Sequence, residues 1–209
     1  MPHIILLGDS ILDNGAYTNG GPDVAAQLRA LSPTDEVTLL ARDGDTTREM
    51  PAQIARLPHD ATHLMLSIGG NDALQNADFL LAPAQSVAEV LTRLSAFGQN
   101  FAAAHRAVVE QLKTTGLPLA LCTIYDANFG DAQTADLVKT ALAVWNDAIV
   151  RQAIAAGLPV IDLRAVCSKP ADYANEIEPS SQGGAKIARA IRRVVDAHRF
   201  DHAQTTIYF

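Results

Sequence analysis

The chain has 209 residues, of which 48% are hydrophobic, so its length suits one domain with a large buried core. Its formal net charge of −7 excludes the basic surface that nucleic acids and anionic membranes require, and neither a nucleic acid nor a membrane is expected as a partner. Two cysteines are too few for a disulfide framework, and the first residues lack a signal-peptide pattern, which predicts a cytoplasmic protein.

Five short apolar segments recur along the chain, each bounded by turn residues. They are apolar on both faces, which is typical of strands buried in a parallel sheet. The predicted strands are His3–Leu7, Val37–Leu40, His63–Ile68, Leu117–Ile124 and Leu158–Leu163. Helical periodicity lies between and after them, over Pro22–Leu31, Gln99–Thr115, Asp131–Ala156 and Gly183–His198.

The alternation of strands and helices predicts an α/β fold with a doubly wound parallel sheet of five strands. We expect residues 1–200 to form a single domain, followed by a C-terminal tail at 201–209. Within this tail, Thr205–Phe209 has the pattern of a short strand. Such a segment could add to a sheet edge, form a homodimer contact or stay disordered.

Polar residues and glycines follow the predicted strands at their carboxyl ends, where the working sites of such sheets lie. They can therefore converge at one edge of the sheet. The four segments that matter are Gly8-Asp9-Ser10, Arg42-Asp43-Gly44, Gly69-Gly70-Asn71-Asp72 and, before the last helix, Asn175-Glu176-Ile177-Glu178.

These segments together indicate acyl transfer. A serine at a strand-to-helix junction, here Ser10, is exposed to a substrate and lies near a helix N-terminus, which favours developing negative charge. The oxyanion formed by attack on an ester needs donors that are already aimed at it. The backbone N–H groups of Ser10 and Gly44 and the side-chain amide of Asn71 could supply three.

In the order and spacing of these blocks the chain resembles the SGNH (GDSL) hydrolases. Gly8-Asp9-Ser10-Ile11-Leu12 resembles the first block of that family, Gly44 the second, and Gly69-Gly70-Asn71-Asp72 the third. The resemblance implies a flavodoxin-like three-layer α/β/α sandwich and esterase, lipase, thioesterase or carbohydrate deacetylase activity. It also implies that Ser10, Gly44 and Asn71 share the roles of nucleophile and oxyanion hole.

The fourth block departs from the family pattern of Asp-x-x-His. Aligned on Pro179-Ser180, the histidine position holds Glu178 and the aspartate position holds Asn175. The six histidines of the chain are expected at the wrong end of the sheet, inside helices or in the tail, so none is a clear substitute.

Three interpretations of Glu178 stay open. It could act as the general base for Ser10, if burial raises its pKa from the poor value of a free glutamate. The site could instead be catalytically degenerate, a module that binds an acyl or sugar ligand without efficient turnover. Glu178 could also be a solvated acid flanking a helix N-terminus.

The sequence thus predicts a serine hydrolase that acts on a small-molecule ester or acylated substrate through a Ser10 acyl-enzyme. Segments 73–98 and 125–135 are expected to be loops that shape the substrate pocket. No dinucleotide-binding or phosphate-loop motif occurs, and no cluster has metal-ligand spacing, so neither a cofactor nor a metal is expected.

Overall fold

The computed structural model describes residues 1–209 as a parallel β-sheet covered by helices on both faces. The sheet has six strands rather than the predicted five, in the order β2-β1-β3-β4-β5-β6. The strands are β1 (His3–Gly8), β2 (Glu36–Leu39), β3 (His63–Ser67), β4 (Leu119–Cys122), β5 (Val160–Ile161) and β6 (Ile207–Tyr208).

The sixth strand comes from the C-terminal segment. Ile207 pairs with Val160, and Tyr208 pairs with Ile161. The Tyr208 side chain is buried in the apolar cluster on one face of the sheet. The sequence analysis gave Thr205–Phe209 the pattern of a short strand but left open whether it joins the sheet, and the structure places Ile207 and Tyr208 at the sheet edge.

Seven α-helices connect the strands and form the two outer layers. They are α1 (Val24–Leu31), α2 (Met50–Ile54), α3 (Gly70–Leu74), α4 (Val87–Lys113), α5 (Ala132–Ala156), α6 (Leu163–Val166) and α7 (Ser181–Ala197). A short 3₁₀ helix, Ala77–Leu81, precedes α4. None of the helices is both long enough and apolar enough to cross a membrane.

The strands are buried on both faces because their alternate residues enter two separate cores. Ile4 and Leu6 of β1 pack in a cluster with residues of α1 and α7. Ile5 and Leu7 pack in a second cluster with residues of α4 and α5. This arrangement gives the three-layer α/β/α sandwich, and it explains why the inner strands β1, β3 and β4 are apolar over most of their length.

Helix α4 begins at Val87, well before the expected Gln99. Its N-cap is Ser86, whose hydroxyl accepts a hydrogen bond from the backbone N–H of Glu89 at 3.1 Å. Residues 87–98, which the sequence analysis placed in a loop, are therefore the first turns of a long helix. Their side chains contribute to one wall of the pocket described below.

Candidate active site

The end of β1 places Ser10 at the carboxyl edge of the sheet. Gly8 has a φ of +131°, and a Cβ there would lie 1.7 Å from the carbonyl oxygen of Ser67, so only glycine allows this close approach. Beyond it, the Asp9 carbonyl accepts hydrogen bonds from the N–H groups of Leu12 and Asp13, both at 3.1 Å. The chain therefore turns sharply at Ser10 and presents its side chain above the strand.

Ser10 and Glu178 are joined by a hydrogen bond although they lie far apart in the sequence. The Ser10 hydroxyl donates to Oε1 of Glu178 at 3.1 Å. Only 6% of Ser10 and 7% of Glu178 is exposed. Glu178 is thus not a solvated acid, and its carboxylate lies where a base would take the serine proton.

Asn175 holds the turn that carries Glu178. Its side-chain oxygen accepts from the backbone N–H groups of Ile177 and Glu178, both at 2.9 Å. The carbonyl of Glu178 accepts from the N–H of Ala174 at 2.8 Å, which closes the turn. Asn175 therefore acts on the backbone of the turn, and not on a catalytic side chain, at the position where the family carries an aspartate.

The loop after β4, residues 125–129, is tied to the Glu178 turn. Three hydrogen bonds link these parts of the chain: from the Tyr125 hydroxyl to the Ile177 carbonyl, from the Tyr173 hydroxyl to the Asp126 carbonyl, and from the Asn128 N–H to the Glu176 carbonyl. The rings of Tyr125 and Tyr173 also meet edge to face at 5.1 Å. The loop after β4 and the Glu178 turn are therefore held together as one unit.

The protonation of the site is set by burial. Burial raises the pKa of Glu178 to about 7 from an ordinary value of 4.5, the hydrogen bond from Ser10 opposes this shift, and the charge of Asp43 adds to it. Its second oxygen, Oε2, is buried and has no hydrogen-bond partner. Burial also raises the pKa of Asp9 to about 8, against the hydrogen bond from the Ile11 N–H. Near neutral pH, Glu178 is thus able both to accept and to return a proton.

The three predicted oxyanion donors lie in segments at the same edge of the sheet. The backbone N–H groups of Ser10 and Gly44 have no hydrogen-bond partner within the protein. The Asn71 amide donates to the Asp45 carbonyl at 2.9 Å, which uses one of its two hydrogens. This bond ties Asn71 to the loop that contains Gly44, and each of the three groups keeps one hydrogen for a ligand.

The Gly44 loop is anchored on both sides. Asp72 accepts from the Thr47 N–H at 3.1 Å and from its hydroxyl at 2.5 Å. The Gln53 amide donates to the Asp45 carboxylate and to the Gly8 carbonyl, both at 2.7 Å. Gly44 itself has a φ of +84°, a conformation that favours glycine.

An apolar pocket opens beside Ser10. Its volume is about 140 Å³, and 16 of its 22 lining residues are hydrophobic. Ser10, Asn71 and Glu178 lie in its polar part. The walls come from the segment after β3, from the loop after β4 and from the helices α4 and α5, including Leu80, Phe129, Leu94, Val138, Leu142 and Trp145.

The sequence analysis missed the helical part of this wall. Val138 and Trp145 sit within the predicted helix Asp131–Ala156 and read as ordinary core residues, and only the packing of α4 against α5 brings them to the pocket. Leu94 belongs to segment 73–98, which was expected to shape the pocket as a loop and does so as part of α4. Of the residues expected from the loop after β4, Tyr125 and Phe129 line the pocket, whereas Asp126 and Asn128 do not.

No histidine lines the pocket. His105 is buried against Gln152, and His198 is bonded to Tyr208. His3 groups with Glu36 and Asp60 at the opposite edge of the sheet, where one ligand atom of each lies within 4.8 Å of the others. Both ring nitrogens of His3 already have hydrogen-bond partners, so this group is poorly disposed to bind a metal.

The comparisons with known proteins identify a family. The model of the GDSL-like lipase/acylhydrolase family matches residues 6–186. No curated protein matches the chain by sequence.

Several solved structures share the fold. An extracellular lipase from Streptomyces rimosus superposes with a TM-score of 0.67 at 17% identity, covering 89% of this chain and 96% of that one. A phospholipase A1 from Streptomyces albidoflavus NA297 superposes with a TM-score of 0.66 at 17% identity, covering 90% of this chain and 98% of that one. An acetyl xylan esterase from Geobacillus stearothermophilus superposes with a TM-score of 0.61 at 20% identity, covering 92% of this chain and 93% of that one. At these identities the likeness establishes the fold.

Proposed function

Because this chain belongs to the GDSL-like lipase/acylhydrolase family, we propose that it is a serine hydrolase that cleaves a carboxylic ester with an apolar acyl group. The observation that carries the proposal is the buried hydrogen bond from the Ser10 hydroxyl to Glu178 at the mouth of an apolar pocket. Structural neighbours described as a lipase, a phospholipase A1 and an acetyl xylan esterase support ester hydrolysis as the reaction class.

In the proposed first step, the Ser10 oxygen attacks the ester carbonyl carbon while its proton passes to Glu178. The carbonyl oxygen becomes an oxyanion and receives hydrogen bonds from the N–H groups of Ser10 and Gly44 and from the Asn71 amide. The carbon–oxygen bond to the alcohol then breaks, and the alcohol oxygen takes the proton back from Glu178. The products are a free alcohol and an acyl group on Ser10.

In the second step, water attacks the acyl-Ser10 carbonyl. Glu178 accepts the proton of the water, and the same three donors stabilise the second oxyanion. When this intermediate collapses, the Ser10 oxygen regains the proton and the carboxylic acid leaves. One residue thus serves as base and as acid in both halves of the reaction.

The environment of Glu178 is what makes it suitable as the base. A free glutamate has a pKa near 4.3 and accepts a serine proton poorly. Burial raises the pKa of Glu178 to about 7, close to that of an imidazole. Since only the ionised carboxylate can accept a proton, activity is expected to rise with pH through this value.

The acyl group is expected to be short or medium in length. The pocket volume of about 140 Å³ is similar to the roughly 150 Å³ of a dry cavity that admits benzene. Its apolar walls fit a hydrocarbon chain, whose burial stabilises binding by about 0.8 kcal/mol per CH₂ group. The polar groups at its mouth would then hold the ester.

A fluorophosphonate probe tests the proposal without knowledge of the substrate. We expect one covalent adduct, located on Ser10 by mass spectrometry, and turnover of acyl p-nitrophenyl esters. Ser10→Ala should abolish both, whereas Ser181→Ala should change neither, because Ser181 is a half-buried serine whose hydroxyl donates to the Pro22 carbonyl away from the pocket. An adduct on another serine would refute the assignment. Absence of both adduct and turnover would favour a catalytically degenerate binding module.

A further inference from the structure

Four aliphatic side chains are exposed in residues 74–91, beside the apolar pocket. Leu74, Leu81, Val87 and Leu91 are 44%, 89%, 75% and 59% exposed. Single exposed aliphatic residues are ordinary, but a group of them next to a binding pocket marks an interaction surface. We call these four residues the aliphatic rim.

The aliphatic rim is continuous with the interior of the pocket. Val87, Leu91 and Leu94 are spaced by four and three residues on α4, so they lie along one face of the helix, and Leu94 lines the pocket. Leu80 also lines the pocket, while its neighbour Leu81 points to solvent. Leu74 is both exposed and part of the lining.

The net charge of the chain argues against a second copy as the partner of the aliphatic rim, because two copies that each carry a formal charge of −7 repel one another. At the exposures given above, the four side chains offer roughly 500 Å² of accessible apolar area. Binding to a fluid apolar phase scales with the apolar area that is inserted, so a patch of this size is enough to contribute to it.

The charges around the aliphatic rim indicate which kind of lipid surface it can bind. Residues 74–91 contain two acidic residues, Asp78 and Glu89, and no lysine or arginine, and Glu89 is paired with Arg93 on the next turn of α4. The whole chain carries a formal charge of −7. Anionic lipids would repel such a surface, while an electrically neutral one would not.

We propose that the aliphatic rim docks the protein on a lipid surface without net charge, so that the pocket opens onto the phase that holds its ester substrate. The substrate part of this inference rests on the proposed function, since an ester with an apolar acyl group concentrates in lipid. The proposal departs from the expectation of no membrane partner, which rested on the net charge of the chain alone.

Sedimentation with phosphatidylcholine vesicles tests the docking separately from catalysis. The parent for this assay is Ser10→Ala, which cannot turn over an ester. Leu81→Ser with Leu91→Ser is the test pair, because neither residue lines the pocket. Ile154→Ser is the matched control, since Ile154 is 62% exposed near the C-terminal end of α5. From Leu142, which lines the pocket, to Ile154 the helix runs about 18 Å.

We expect the Ser10→Ala parent to bind the vesicles and the leucine pair to lower its partition coefficient about tenfold per leucine. The control should stay within about twofold of the parent. With Ser10 restored, the leucine pair should turn over a soluble short-chain ester at the rate of the unsubstituted protein.

Four results would overturn the proposal: no binding by the parent, an equal loss in the Ile154→Ser control, tighter binding to anionic vesicles, or a concentration-dependent dimer that the leucine pair abolishes. Failure of the proposed function has a different signature. Vesicle binding would then persist in the intact protein while the fluorophosphonate probe failed to label Ser10.

Discussion

Replacing Glu178 by glutamine removes the proposed base and keeps the shape of the side chain. The oxygen that accepts the Ser10 hydrogen bond can stay in place, so the geometry of the nucleophile should persist. Loss of a general base lowers turnover by about 10²–10⁴-fold. The matched control is Glu176→Gln, an exposed glutamate two residues away, which should leave turnover unchanged.

The same substitution has an effect on stability that is worked out from the pKa. The folded value of about 7 lies above the ordinary value of 4.5, so the unfolded chain releases the Glu178 proton at lower pH than the folded protein does. The cost of a buried charge is therefore absent below about pH 4.5, grows between the two values and is fully present above about pH 7. Between pH 5 and 8 it reaches about 2.5 kcal/mol at most.

Contact of the pocket with water should reduce this cost to about 1–2 kcal/mol. Urea unfolding of the parent and of Glu178→Gln at pH 5 and pH 8 measures it. Between pH 5 and pH 8, the free energy of unfolding of the unsubstituted protein should fall by about 1–2 kcal/mol more than that of Glu178→Gln. The thermal midpoints of the two proteins should diverge by roughly 2–8 °C over the same interval. Any cost from the new amide is the same at both pH values and cancels. Equal pH dependence in the two proteins, or undiminished turnover by Glu178→Gln, would refute the role of Glu178.

Three further substitutions address the donors, the turn and the pocket. Asn71→Ala should lower kcat by about 10²–10³-fold with little change in KM, as measured by steady-state kinetics, and a change in KM alone would make Asn71 a ground-state contact. Asn175→Ala should lower kcat by about tenfold, since the Glu178 turn loses two hydrogen bonds of about 1 kcal/mol each. Asn175→Asp keeps the acceptor and should recover most of the rate. Equal losses in the two variants would argue against a positioning role for Asn175. Ala141→Phe, which adds a ring to the pocket wall, should shift the preferred p-nitrophenyl ester towards shorter acyl chains, and an unchanged preference would place the acyl group elsewhere.

The sheet could be predicted because its strands are apolar on both faces, and β1 and β3 end within one residue of their predicted ends. The start of α4 was missed for a physical reason. Val87 and Leu91 project into solvent, so the first turns lack the polar outer face that periodicity detects. The signal that could have found the start is the spacing of Ser86 and Glu89, which is that of a capping box.

The positions of the polar residues of the candidate site were easier to predict than those of the apolar walls around them. Ser10 and Asn71 each follow a strand directly, and parallel strands bring their carboxyl ends to one edge, so local order along the chain is enough to group them. Glu178 was placed by its distance from the last helix. The positions of Leu94 and Trp145 depend on how α4 and α5 pack against each other, which no local pattern specifies.

The hydrogen bonds that join the loop after β4 to the Glu178 turn have a consequence for engineering and for evolution. Two of the three links end on backbone carbonyls of the turn, at Ile177 and Glu176. Exchanging residues 125–129 for the loop of a relative, in order to acquire that relative's substrate preference, would also release the turn that carries Glu178. The wall of the pocket and the position of Glu178 therefore change together, and a successful graft would have to transfer both segments as a pair.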